Sequence, residues 1–152
     1  MKKSRIIIIA FLSVAILALV GCGNKTALTP DQFKSEMTKN QFQVQDATAQ
    51  FAGQPVKQVY IALNGNWQIE FYQMNSESDA QTAFSVNKRN FEKAKSSVAV
   101  TTEENVGNVN RYTQTSNGKY SVISRIGDTF VYLNAEEKYK ADAGSILKDL
   151  GY

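Results

Sequence analysis

Residues 56–74 read VKQVYIALNGNWQIEFYQM, two runs of alternating apolar residues on either side of a turn signal. Val59, Ile61 and Leu63 alternate on the way in; Trp67, Ile69 and Phe71 alternate on the way out. Alternation with a period of two argues for strands, and Asn64-Gly65 is the commonest short hairpin signal. Loop length then decides which faces join. A two-residue Asn-Gly loop would set Leu63 opposite Asn66 and send the two apolar sets to opposite faces. A three-residue loop, Asn64 to Asn66, sets Leu63 opposite Trp67 and unites them. A register error moves a whole hydrophobic face into water, so the three-residue loop is expected. In this reading Tyr60 and Tyr72 fall opposite the main apolar set. With Gln68 and Glu70 they form a small amphipathic patch suited to a protein or glycan partner, set against the plainer reading of ordinary sheet surface.

Working outward, Thr29-Pro30-Asp31-Gln32 has the form of a capping box with proline at the first helical position. Phe33 and Met37 then make one apolar stripe, and Asn40 is a stop. Residues 42–51 read as a weak strand. Ser76-Glu77-Ser78-Asp79 opens a second helix at about 78–95, with Ala80, Ala83, Phe84, Asn87, Phe91 and Ala94 on one stripe. Strands follow at about 97–103, 108–115, 119–126 and 129–134, and a last helix at about 136–150 before Gly151.

This order predicts an α+β fold: a single, mostly antiparallel sheet of six or seven strands with helices on one face. Ile69, Phe84, Phe91, Val131, Ile146 and Leu147 are the expected core. Asn64-Gly65-Asn66-Trp67 and Asn117-Gly118-Lys119-Tyr120 share the form Asn-Gly-x-aromatic. Either an α-β-β-β unit occurs twice and a C-terminal helix closes the fold, or two hairpins reuse one turn chemistry.

The N-terminus has a different character. Lys2, Lys3 and Arg5 precede Ile6 to Val20, fifteen residues in which Ser13 is the sole polar interruption. A cationic start and an apolar run of this length are the layout of a secretion signal, and a spanning helix needs about 20 apolar residues. The run ends in Leu19-Val20-Gly21-Cys22, which resembles the lipobox of bacterial lipoproteins. The resemblance implies cleavage after Gly21, removal of residues 1–21 as a signal peptide, and a diacylglycerol on the Cys22 sulfur. It places the mature protein on the outer face of the cytoplasmic membrane, with the membrane as partner through that lipid. Residues 22–28 are then a lipidated tether and residues 29–152 a single globular domain. The six residues Gly23 to Leu28, if extended, reach roughly 20 Å at about 3.3–3.6 Å per residue.

With Lys2, Lys3 and Arg5 removed, the 17 basic residues of the chain fall to 14, equal to its 14 acidic ones. A neutral domain gives no footing for nucleic-acid binding, which needs a phosphate-directed basic surface. Cys22 is the only cysteine and there is no histidine. Disulfides within the chain, the Ser-His pair and the commonest zinc ligand are therefore missing, and a lipidated Cys22 leaves no thiol for catalysis. No phosphate loop or other motif signals a cofactor or metal site, and neither is expected. The acidic pairs Glu103-Glu104 and Glu136-Glu137 fall on a strand and at a helix start, where they read as solvated surface. Glu70 stands between Ile69 and Phe71, and alternation turns it outward.

The lipobox, TPDQF at 29–33, QIEFYQM at 68–74 and SRIGDTFVYLNAEEKY at 124–139 together resemble small lipoproteins of Gram-positive bacteria with no established activity. The resemblance implies the anchor and the α+β fold, and supplies no functional residue beyond Cys22. The expected function is a non-catalytic binding or interaction module. A carboxylate-dependent cell-envelope hydrolase and a structural accessory subunit of a membrane complex are the alternatives.

Overall fold

A computed structural model of the protein describes residues 23–152, so the expected signal peptide and Cys22 lie outside the described residues. The elements run α1 (Pro30–Lys39), β1 (Gln43–Asp46), a 3-10 turn (Thr48–Phe51), β2 (Val56–Leu63), β3 (Gln68–Met74), α2 (Glu77–Ala94), β4 (Val100–Val106), β5 (Val109–Ser116), β6 (Lys119–Ile126), β7 (Thr129–Glu136), a second 3-10 turn (Glu137–Tyr139) and α3 (Lys140–Asp149). The fold is α+β. Its seven strands form one open sheet in the order β1-β2-β3-β7-β6-β5-β4, with every neighbouring pair antiparallel.

Local chemistry sets the helix starts. The Thr29 hydroxyl accepts from Gln32 N at 3.2 Å while Gln32 Oε1 accepts from Thr29 N at 2.8 Å, a complete capping box. Ser76 caps α2 by accepting from Asp79 N at 3.1 Å. The stretch expected as one weak strand divides into β1 and the 3-10 turn. Thr48 makes that corner: its backbone N–H donates to Asp46 Oδ1 at 2.8 Å, and its hydroxyl accepts from Val59 N at 3.0 Å.

The β2–β3 hairpin departs from the expected register. Leu63 pairs with Gln68, leaving a four-residue loop, Asn64 to Trp67. Asn64 Oδ1 organises this loop by accepting from Asn66 N at 3.0 Å and Trp67 N at 3.1 Å, with Gly65 at φ 85°. The pairing sets Tyr60 opposite Phe71 and Ile61 opposite Glu70, so the two apolar sets lie on opposite faces after all.

No face is lost to water, because the helices divide between the two faces instead of sharing one. On the first face α1 and α3 press Phe33, Met37, Ala143 and Leu147 against Ile69, Phe71, Val122, Val131 and Leu133. On the second face α2 presses Ala80, Phe84 and Phe91 against Val59, Tyr72, Tyr112, Ile123 and Phe130. A sheet covered on both sides accepts apolar residues at every position, which removes the penalty that argued for the three-residue loop. Ile146 is only half-buried, at the margin of the first core; the other five expected core residues are buried.

The two α-β-β-β units flank β7 in the sheet, the first covered by α1 and the second by α2 on the opposite face. Residues 24–28 do not stand free of the domain: Ala27 and Leu28 pack against the first core.

Candidate functional site

The second face is covered unevenly. Phe91 stacks on Tyr132 with ring centroids 5.3 Å apart at 22°, anchoring the C-terminal half of α2 over the middle of the sheet. On the other side Phe51, from the 3-10 turn, meets Tyr72 edge-on at 5.4 Å and 88°. Between α2 and that turn lies a cleft of about 460 Å³. Its floor carries Glu70 and Tyr72 of β3 and Phe130 and Tyr132 of β7; Ala83, Val86 and Asn87 form the helix wall, and Phe51 and Pro55 the other. Val86 is 46% exposed, a large apolar side chain left at the rim.

The β3–β7 register builds the floor. Tyr72 stands opposite Phe130 and Glu70 opposite Tyr132. Tyr72 and Phe130 stack face to face at 4.5 Å and 11°, a rigid and largely buried pair beneath the cleft. Glu70 is the one acidic group in it. Its two oxygens are each engaged once, Oε1 by Gln68 Nε2 at 2.9 Å and Oε2 by the Tyr72 hydroxyl at 2.5 Å. Both donors are neutral, and among the described residues no basic side chain pairs with Glu70. Burial, reinforced by the hydrogen bond to Glu70 and its charge, holds the Tyr72 phenol well above its ordinary titration range. Burial and the same carboxylate raise Tyr132.

Of the four residues expected as a patch, the structure brings Gln68, Glu70 and Tyr72 together on the α2 face. Tyr60 is not with them. Its pairing with Phe71 puts it on the α1 side, partly buried against the first core. The reason is the register again: of the loops considered, only the three-residue one puts Tyr60 and Tyr72 on one face. Phe51, Phe130, Tyr132 and the α2 wall were not part of the expected site. They meet Glu70 through strand pairing and helix placement, which no local pattern encodes.

Chemically, the cleft sets the half-buried aromatics Phe51 and Tyr132 beside one carboxylate that has no basic partner among the described residues. Asp79 also borders it, but its Oδ2 accepts from the Ser76 hydroxyl at 2.6 Å as part of the α2 cap. Among the described residues no group of three or more Asp, Glu or Cys side chains is placed to hold a metal ion. No helix among them is long and apolar enough to cross a membrane. The first acidic pair points apart: Glu103 turns to Lys88 of α2 at 2.5 Å, while Glu104 stands opposite Arg111.

The fold and cleft together define an α+β domain with a single open antiparallel sheet and a ligand-sized groove on one face. No protein-family model, curated protein or solved structure matches the chain.

Proposed function

We propose that the protein is a non-catalytic binding module, held on the outer face of the cytoplasmic membrane by a lipid on Cys22. Its α2 cleft takes an extended ligand with an apolar body and a cationic group. The observation that carries this reading is Glu70, a carboxylate on an aromatic floor with two neutral donors and no counter-ion. A half-buried carboxylate whose only partners are neutral donors gains from a charged donor, and an ammonium or guanidinium group supplies one. A peptide presenting Lys or Arg beside apolar side chains has this chemistry; a neutral glycan offers the carboxylate hydroxyl donors but no counter-charge.

The presence of Asp79 at the same cleft favours a second reading, a carboxylate-dependent hydrolase. Its engagement in the helix cap argues against a free acid facing Glu70.

Titration with n-octylamine, octanoate and octanol, followed by tyrosine ring chemical shifts, tests the binding reading. Octylamine should bind and perturb Tyr72 and Tyr132, octanoate should not, and Glu70→Gln should abolish the difference between octylamine and octanol. Equal binding of the amine and the carboxylate would overturn it.

A further inference from the structure

The segment before α1 meets the domain at a place built to receive it. Gly107, in the β4–β5 turn, has φ 57°, and a Cβ there would lie 2.0 Å from the Gly23 carbonyl oxygen and 2.7 Å from Asn24 Oδ1. Only a residue without a side chain permits that approach. The neighbouring Asn108 uses both ends of its amide on one residue: Nδ2 donates to Lys25 O and Oδ1 accepts from Lys25 N, each at 2.8 Å. This is the pattern of a β-ladder bond pair, made by a side chain. Lys25 Nζ adds a donation to Gly151 O at 3.5 Å, after α3. Ala27 and Leu28 then pack against the first core, and Thr29 begins the α1 cap.

None of these contacts is needed to form a helix or a strand. Nor is a polar Gly-Asn-Lys-Thr run one that would order itself. Gly107 and Asn108 lie at one end of the sheet, called here the lower end. The β6–β7 turn at Gly127 shares it, and Gly127 N donates to Asn108 O at 3.0 Å. The start of β2 and the end of β3 belong to the same end, since Met74 N donates to Asp128 O at 2.8 Å and Asn75 N to Pro55 O at 2.9 Å. The turns at Gly65 and Gly118 occupy the opposite, upper end. The cleft reaches the lower end through Pro55, Val56 and Met74.

We infer that residues 23–28 are a strap that fixes the point of membrane attachment, so that the domain stands with its lower end against the lipid bilayer. The inference rests on the reading that Cys22 carries the lipid. Cys22 is one peptide from Gly23, about 3.8 Å between Cα atoms. A free tether of six residues would let the domain turn any side to the membrane. The strap removes that freedom and holds the lower mouth of the cleft beside the lipid headgroups, with the turns at Gly65 and Gly118 facing away. A ligand carried at the membrane surface then meets the cleft without the domain having to reorient.

The test uses the full lipidated protein in vesicles of phosphatidylcholine and phosphatidylglycerol that contain a headgroup-attached quencher. Cys22 is the sole cysteine and its sulfur is in the thioether, so an introduced cysteine is a unique labelling site. A fluorophore on Ser78→Cys, at the lower end, should be quenched several-fold more than one on Lys119→Cys, at the upper end. Adding Asn108→Ala should bring the two toward equality with the fold intact. Equal quenching in the strapped protein, or a ratio unmoved by Asn108→Ala, would overturn the orientation. Amide exchange at Lys25 reads the strap independently of lipid: it should be slow and should become fast in Asn108→Ala. Protected Lys25 in a protein that incorporates no fatty acid would overturn the orientation through failure of the anchor. Unprotected Lys25 in a lipidated protein would overturn it through failure of the strap.

Discussion

The Tyr72 hydroxyl donates to Glu70 Oε2 at 2.5 Å, a bond between two side chains on the same face of β3, two residues apart. It joins the only carboxylate of the cleft floor to the phenol that stacks on Phe130, so the charge and the aromatic surface form one unit.

That unit makes stability sensitive to alkali. The folded Tyr72 titrates above its unfolded value of about 10, because burial and Glu70 oppose the phenolate. Burial raises Tyr152 in the same sense. A raised folded pKa means that the native state keeps a proton the unfolded chain releases. The contribution is therefore fully present below about pH 10 and is lost as pH rises above it. Urea unfolding between pH 8 and 11 should show stability falling at the alkaline end. In Tyr72→Phe that slope should be shallower, although stability at pH 8 should drop by about 1.5–3 kcal/mol with the lost bond to a charged group.

Truncation of the α2 core should be costly. Phe84 and Phe91 are 4% and 6% exposed and are the largest side chains that α2 sets on the sheet. Phe84→Ala or Phe91→Ala should each destabilise by about 3–5 kcal/mol in denaturant titrations. Phe91→Ala should also loosen Tyr132, seen as faster ring flipping, because their stack is lost.

Arg125 is 3% exposed and feeds three acceptors: Asn110 Oδ1 at 2.7 Å, Gly127 O at 2.8 Å and Glu77 Oε1 at 3.0 Å. Arg125→Ala strips the partners from a buried amide and a turn carbonyl, and should cost about 3–5 kcal/mol. Glu77→Gln should cost under about 1 kcal/mol, since the Glu77 side chain is 61% exposed. Equal losses in the two variants would show that the ion pair, rather than the neutral bonds, holds Arg125.

Anchorage should depend on Cys22 alone. Cys22→Ser should leave the precursor uncleaved after Gly21 and without lipid, measured by fatty-acid labelling and the mass of the product. Normal labelling of that variant would remove the basis for the anchor.

Short-range chemistry accounts for what the sequence determined by itself. The caps at Thr29 and Ser76, the glycine turns and the alternating runs each act over a few residues, so three helices and an antiparallel sheet could be read directly. The run ending at Cys22 that resembles a lipobox is likewise a local pattern, and the anchor drawn from it is a proposal. Tertiary structure decided the rest. Leu63 meets Gln68 rather than Trp67 because α2 covers the face that a lone hairpin would expose, and that pairing carries Tyr60 to the far side of the sheet from Glu70. The approach of Gly23 to Gly107 spans most of the chain, and Arg125 finds Asn110 only through strand pairing. The parity of a hairpin and the company of a carboxylate depend on what covers each face, and packing between distant segments determines that.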